Sequence, residues 1–342
     1  MARATVHDLA RAAGVSLATI DRVLNRRGGV RPATIEKVEQ AMARLNYRRD
    51  MAAAMLAKQQ EYRFVFLVPV GVNTFMRNLA NEATRLSDLN AADRISIRVV
   101  EIPPFDDDKL AGILNGLDSA DISGVAVVAT ENAQIRQAID RLAERGIPVV
   151  TLVSDVPASR RAHFVGIDNS AAGRTAGSLM GRFLRGRSGR IAVLAGSMLL
   201  RDHVERHFGF ERVLRTEYPD LVTLPVIEGR DNGAVVEEVL GALLDNHPDI
   251  IGLYSLGGGN RGVIAALNKR QAGARICVIA HELTTHCREA LVDGTFDAIL
   301  NQDPGHEARS AMRVLRALTD GQPIDHGQER IRIDIYLRDN LP

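Results

Sequence analysis

The sequence predicts an α/β protein in two parts: an N-terminal all-α helix-turn-helix head and a two-lobed, doubly wound parallel-sheet body. Three observations predict it. The chain has 342 residues, enough for two or three folding units. Over residues 5–46, apolar side chains recur at helical spacing. From Tyr62 onward, short apolar runs alternate with helical stretches, the pattern of parallel sheets covered on both faces.

The head reads as three short helices. Thr5, with Asp8 three positions on, has the form of a capping box, and Val6, Leu9, Ala10 and Ala13 follow at helical spacing. Gly14 stops that helix. Ser16 caps a second helix, which turns Ile20, Val23 and Leu24 inward. Gly28 and Gly29 make a turn. Pro32 suits a first helical position, and Ile35, Val38, Ala41, Met42 and Leu45 form a third apolar stripe. The head is expected at residues 1–48. Residues 49–60 form a linker rich in Ala, Met and Gln, helical only when something holds it.

The body, residues 61–342, carries strand-like runs at 64–68, 95–100, 125–128, 149–153, 191–194, 222–227, 250–254, 276–280 and 298–300. Helical stretches alternate with them, among them 133–145, 171–184, 205–217, 234–246 and 262–271. Nine strands fit two lobes better than one. The first lobe is expected at about 61–165 and 296–324, the second at about 166–295 and 325–342. Ligands in such sheets bind beyond the carboxyl ends of the strands, and two lobes set those ends face to face across a cleft.

Composition narrows the class. Hydrophobic residues at 46% and charged residues at 25% exclude a disordered or fibrous chain. Net charge is +1, yet residues 1–60 hold eleven Lys or Arg against five acids, a local +6 that leaves −5 for the remainder. A basic head on a mildly acidic body points to a polyanion as partner of the head, the alternative being an ordinary basic surface. Cys277 and Cys287 make no disulfide framework and fit a reducing compartment. No apolar run approaches the roughly 20 residues of a membrane span. The first five residues lead into no apolar core of signal-peptide length. The expected setting is the cytoplasm, with no membrane partner.

Ala10, Gly14 and Ile20 have helix-turn-helix spacing: a small residue lets the helices approach, Gly permits the turn, and an apolar residue packs back. With that face buried, Leu17, Ala18, Asp21, Arg22 and Asn25 lie on or near the outer face of the second helix, which is of a size to enter a major groove. Arg22 can offer a bidentate fork to guanine, and Leu17 and Ala18 can touch a thymine methyl. Ser16, Thr19 and Asn25 can bond phosphates or backbone. A plain three-helix bundle with a solvated basic face is the alternative.

Three runs carry a specific resemblance: Thr5-Val6-His7-Asp8-Leu9-Ala10-Arg11-Ala12-Ala13-Gly14-Val15-Ser16, then Ala18-Thr19-Ile20-Asp21-Arg22-Val23-Leu24-Asn25, then Val30-Arg31 on to Leu45-Asn46-Tyr47. They resemble the head of the lactose-repressor (LacI) family almost continuously over residues 5–57, and the remainder is similar to that family's type I periplasmic-binding-protein-like core. The resemblance implies a sequence-specific transcriptional regulator, a repressor by the commoner family behaviour, with double-stranded, pseudo-palindromic operator DNA as partner. It implies base reading by Leu17, Ala18 and Arg22, with Thr5, Ser16, Thr19, Asn25, Arg31 and Tyr47 in the same interface. It implies a linker that becomes a hinge helix and wedges Leu56 into the minor groove. Asp21 stands where the family usually has a small hydroxyl residue. Phosphate repels a carboxylate, so Asp21 is expected to meet a base amino group or Arg22. Leu17 and Ala18 lack strong donors, which shifts readout toward Arg22 and DNA shape.

In the body the resemblance implies an effector site between the lobes. Asn73 and Phe75 follow the first strand, Phe75 as a stacking aromatic or as core. Asp155 stands where an acid commonly holds ligand hydroxyls, or it caps its loop. Arg206 is expected to reach the ligand. Asn260 keeps the only polar side chain of a common Asn-Asp pair, behind Gly257, Gly258 and Gly259, and Glu282 and Gln302 match a cleft acid and a cleft Gln. One Arg with two or three acids favours a neutral sugar or polyol. A homodimer presenting paired heads is expected, and the absence of an added leucine heptad before Leu341 and Pro342 favours a dimer over a dimer of dimers.

Rival classes are weaker. A glycine run at 257–259 lacks the G-x-G-x-x-G spacing of a nucleotide-dependent enzyme, and no cofactor is expected. His203-Val204-Glu205-Arg206-His207 is not H-E-x-x-H, and His281, His286 and Cys287 mark no closed ligand set, so no metal is expected. A transport solute-binding protein shares the body but needs a signal peptide and no basic head.

Overall fold

The computed structural model describes residues 4–24, 28–45, 47 and 61–342. The chain divides into two compact units, Met1–Gln60 and Glu61–Pro342.

In the first unit, α1 (Val6–Ala13) opens on the capping box expected at Thr5: Thr5 Oγ1 accepts from the Asp8 N–H at 3.2 Å, and the Asp8 carboxylate accepts from the Thr5 N–H at 3.0 Å. Gly14, at φ 65°, closes the helix in the left-handed region that only glycine enters cheaply. Ser16 Oγ accepts from the Thr19 N–H at 3.2 Å and starts α2 (Leu17–Leu24). Pro32 opens α3 (Pro32–Arg44), where its missing N–H costs nothing. Leu9, Ala10, Ile20, Val38 and Ala41, drawn from all three helices, make the core. The Arg44 guanidinium donates to the Ala12 carbonyl at 3.0 Å and ties the third helix to the first. The expected positions Asn25 and Leu56 lie outside the described residues.

The second unit holds two sheets. The first contains β1 (Tyr62–Pro69), β2 (Ile95–Ile102), β3 (Gly124–Val127), β4 (Val149–Leu152) and β5 (His163–Val165), all parallel, in the order β2-β1-β3-β4-β5. Between these strands run α4 (Thr74–Leu89), α5 (Asp107–Gly116) and α6 (Ala133–Glu144). The chain then crosses to the second lobe through α7 (Asn169–Phe183), β6 (Gly189–Ala195), α8 (Arg201–Glu217), β7 (Leu221–Thr223), β8 (Ile227–Glu228) and α9 (Gly233–Asn246). It continues through β9 (Ile250–Ser255), α10 (Asn260–Lys269), β10 (Cys277–His281), α11 (Thr285–Val292) and β11 (Ala298–Asn301). It returns as α12 (Pro304–Thr319), which packs on α4 and on strands of the first sheet, and ends in β12 (Asp334–Tyr336). The second sheet runs β12-β11-β10-β9-β6-β7, with β8 also beside β6, and only β12 is antiparallel.

Three details correct the sequence reading. The return to the first lobe was expected at about residue 296, but β11 pairs with β10 in the second sheet, so the crossing follows residue 301. The run 222–227 is two short strands, because Pro225 has no N–H to give a ladder and breaks it. The edge strands β5 and β12 were not expected: each has three residues, too few for an alternation to register.

Helices α7 and α8 meet backbone to backbone. A Cβ on Gly173 would lie 2.0 Å from the Arg206 carbonyl oxygen, and one on Gly209 would lie 2.3 Å from that of Ser170. The contact sets the height of α8, which carries Asp202, His203 and Arg206. Gly173→Ala is expected to destabilise the body by about 1–3 kcal/mol or more, read as a lower urea midpoint at unchanged slope. An unchanged midpoint would remove this contact as a constraint.

Candidate functional site

In the head, Leu17, Ala18, Asp21 and Arg22 form one exposed face of α2, with Leu17 45% exposed, while Ile20 is buried behind them. Arg31 is exposed, and Thr19 and Tyr47 are half-buried, Tyr47 against the head's core. The Thr5 hydroxyl is engaged with Asp8, and the Ser16 and Thr19 hydroxyls lie 3.0 Å apart, bonded to each other. The side chains of α2 free to meet a groove without breaking a cap are therefore Leu17, Ala18 and Arg22.

In the body, a cavity opens between the lobes at the carboxyl ends of β1 to β4 and of β6, β9 and β10. Asn73, Met76, Phe105, Thr130 and Ser154 face it from the first lobe; Leu200, Asp202, His203, Asp231 and Glu282 face it from the second. Seven non-glycine residues of the described chain have positive φ, and four of them border this cavity: Phe105 at 61°, Val153 at 62°, Asp231 at 53° and Glu282 at 73°. Such backbone costs about 1–3 kcal/mol per residue, and strain of this kind concentrates at ligand sites.

Asn73 links the lobes. Its Oδ1 accepts from the N–H groups of Phe75 and Met76 and caps α4, while its Nδ2 donates to Asp231 Oδ2 across the cleft at 2.8 Å. A second link lies nearby: the Arg201 N–H donates to Ser154 Oγ at 3.1 Å, and its guanidinium pairs with Glu131 at 3.3 Å and with Glu205 at 2.7 Å.

The packing places four of the expected residues off the cavity wall. Phe75 sits in the core, 3% exposed, beneath α4 rather than on the cavity wall. Asp155 is taken by its own loop: it holds the Arg161 guanidinium and accepts from Thr151 Oγ1 at 2.6 Å, and its neighbour Ser154 borders the cavity instead. Arg206 is fully buried below the floor, donating from Nε to Asn169 Oδ1 at 2.8 Å and from Nη1 to the Leu256 carbonyl at 2.6 Å. Gln302 is buried at the crossing after β11 and does not border the cavity. Asn260 accepts from Ser255 Oγ and donates to the His281 carbonyl, and borders a smaller neighbouring cavity.

Sequence reasoning missed Asp202, His203 and Asp231, which border the cavity. A Cβ on Gly257 would lie 2.3 Å from His203 Nε2, and one on Gly258 would lie 2.7 Å from the Asp231 carboxylate. The glycine run makes room for these two side chains.

The floor is an acid cluster around one cation. Asp202 Oδ2 lies 3.8 Å from Arg206 Nη2. Burial pushes Glu282 up to about 8 against the pull of Arg206, with Asp231 and Asp202 adding to the rise. Burial, with Glu282 beside it, also holds Glu307 well above the carboxylate range. Burial, with Arg206 and His203 nearby, keeps His281 well below the usual imidazole range. Folded Glu282 thus holds a proton that the unfolded chain releases near pH 4.5. That stability is complete below pH 4.5 and is lost as pH rises through about 8. Glu282→Gln is expected to flatten the fall of unfolding free energy over this window, by at most about 1.4 kcal/mol per pH unit. Parallel curves for variant and parent in denaturant titrations would contradict it.

Among the described residues no helix is long and apolar enough to cross a membrane, and no group of three or more His, Cys, Asp or Glu is placed to hold a metal ion. Residues 64–323 match the periplasmic binding protein domain family, and residues 5–50 match bacterial regulatory proteins of the lacI family. Among relatives, catabolite control protein A of Streptococcus mutans is 27% identical over 195 residues, 57% of this chain and 55% of that protein. The ribose operon repressor of Bacillus subtilis is 33% identical over 127 residues, 35% of this chain and 39% of that protein. The transcriptional repressor PurR of Vibrio atlanticus is 30% identical over 214 residues, 62% of this chain and 60% of that protein. The chain spans about half the length of the relatives it matches. The glucose-galactose binding protein GanP of Geobacillus stearothermophilus shares the fold at a TM-score of 0.74 and 22% identity, over 83% of this chain and 99% of that one. A solute binding protein of Burkholderia graminis in complex with D-arabinose shares it at 0.73 and 24%, over 82% of this chain and 96% of that one. The chain therefore belongs, through its body, to the periplasmic binding protein domain family, and its head matches the lacI family of bacterial regulatory proteins over residues 5–50.

Proposed function

We propose that this chain is a cytoplasmic, DNA-binding transcriptional repressor that acts as a homodimer and is controlled by a small sugar or polyol held between its lobes. The observation that carries the reading is the joining, in one chain, of an exposed α2 face bearing Arg22 to an interlobe cavity bordered by strained backbone and buried acids. The names of the relatives, repressors and a control protein among them, support regulation rather than catalysis. The ribose operon repressor's name supports a sugar.

The chemistry follows from the geometry. Arg22 meets a guanine edge with two parallel N–H donors, and Leu17 and Ala18 give apolar contact beside it. Two heads on a two-fold axis address half-sites about one helical turn apart. In the body, acids at the cleft accept bonds from ligand hydroxyls, and the ligand joins walls already linked by Asn73 and Asp231. Ligand and operator then alter each other's affinity by the same factor, typically 5–150-fold.

A gel shift with the DNA upstream of the chain's own reading frame tests the head. Arg22→Ala is expected to cost about 1–3 kcal/mol of specific binding with thermal unfolding unchanged, since the side chain is exposed. Equal binding by variant and parent would remove α2 as the reader. Sugars and polyols that stabilise the body should change operator affinity in the same assay; a stabilising sugar without effect on the gel shift would refute the coupling.

A further inference from the structure

The cleft is polarised in a way that narrows its ligand. We propose that it takes an organic cation of the hexosamine class, with the free ammonium group on Asp202 and Asp231, in preference to a neutral, acidic or phosphorylated sugar. This rests on the effector reading above and specifies its ligand.

Five carboxyl side chains border the cavity, those of Asp106, Asp107, Asp202, Asp231 and Glu282, and among the described residues no Lys or Arg side chain does. The carboxyls differ in what they have left to offer. Asp106 caps α5, accepting from the Lys109 N–H at 3.0 Å. Asp107 accepts from Thr130 Oγ1 and from Asn132 Nδ2 at 2.8 Å. Asp202 is 5% exposed, and its Oδ1 is buried without a hydrogen-bond partner. Asp231 Oδ2 is met by Asn73, and its Oδ1 is likewise buried without a partner. The nearest guanidinium, Arg206, lies below the floor with two of its nitrogens engaged and only Nη2 toward Asp202 Oδ2, at 3.8 Å. One cation thus stands against Asp202, Glu282 and Glu307, and Asp231 lies beyond its hydrogen bonds.

The two open acceptors belong to one cluster. A Cβ on Gly196 would lie 2.2 Å from Asp231 Oδ1 and 3.0 Å from the His203 ring, so Asp231 packs beside the residue that follows Asp202 in α8. A buried acceptor without a donor is costly. A ligand hydroxyl supplies one donor; an ammonium group supplies three and the opposite charge. The facing wall of Met76, Ile102, Pro104, Phe105 and Leu110 is apolar and fits the carbon face of a sugar ring. A phosphate or carboxylate on the ligand would meet the carboxylates of Asp106, Asp107, Asp202 and Asp231 and, among the described residues, no bordering Lys or Arg.

The test is thermal shift of the full chain, below neutral pH, with three matched sets in the gluco, galacto and manno series. Each set holds the neutral hexose, its 2-amino-2-deoxy form, the N-acetylated amine and the 6-phosphate. The expected result is that the free amine of at least one series raises the melting temperature by several degrees, the neutral hexose less, and the N-acetyl and phosphate forms not at all. Asp202→Asn and Asp231→Asn should each weaken the amine at least about tenfold while changing the neutral hexose less than about twofold, as loss of a charge-assisted bond requires. The N-acetyl arm removes the charge from the ligand, so the test holds even if a variant misfolds. A neutral, acetylated or phosphorylated sugar that stabilises as well as its amine overturns the cation preference and leaves the sugar-sensor reading standing. No response in any series overturns the hexosamine assignment, and the repressor reading then rests on its own gel-shift test.

Discussion

The body depends on Arg206, a guanidinium with no exposure to water. A buried charge is tolerated only when its donors are met and opposite charge is close. Here Nε is met by Asn169 at the start of α7 and Nη1 by the Leu256 carbonyl after β9, while Nη2 has no hydrogen-bond partner and faces its counter-charge, Asp202 one turn earlier on α8, at 3.8 Å. Glu282 after β10 and Glu307 on α12 feel the same cation. One side chain therefore registers elements from across the second lobe and the crossing that returns to the first. Its polar network is what the interlobe cleft is built upon, although the guanidinium does not itself border the cavity.

Backbone geometry serves the same end. Glycines at 173 and 209 bring α7 and α8 close enough for Arg206 to reach Asn169. Glycines at 196, 257 and 258 give up side chains so that His203 and Asp231 can occupy the floor. Where the chain has no glycine it accepts strain instead, at Phe105, Val153, Asp231 and Glu282. Four strained residues around one cavity, in two separate lobes, is the distribution expected when a site and not packing dictates the backbone.

The two lobes are joined at the cleft mouth by short polar contacts, Asn73 to Asp231 and Arg201 to Glu131 and Ser154. Asn73 and Ser154 are buried while Arg201 and Glu131 are partly exposed, and one apolar cluster joins side chains of both lobes beneath them. A ligand that adds bonds to both walls would favour the arrangement of the lobes in which those bonds form. The head is a separate small core of Leu9, Ala10, Ile20, Val38 and Ala41, and its exposed α2 face can change chemistry without touching that core.

The sequence by itself determined the head and the plan of the body. Caps at Thr5 and Ser16, the glycine at 14 and the helical stripes are local signals, each set by residues within a turn of one another, and they survive in the structure. Alternating apolar runs likewise announced the parallel sheets, and Asn73 and Glu282, expected at strand ends, border the cavity from the segments after β1 and β10. Tertiary structure alone decided which polar residues face the cleft. Asp155 and Ser154 are adjacent, yet an arginine six residues on captures the first and leaves the second to the cavity. Asp202, His203 and Asp231 come from segments that local periodicity cannot bring together, and the partners that shape them lie in other segments. Hydrophobic spacing records which side chains are buried along one element; it carries no information on which strand ends meet across a cleft, because that is set by packing between elements far apart in the chain.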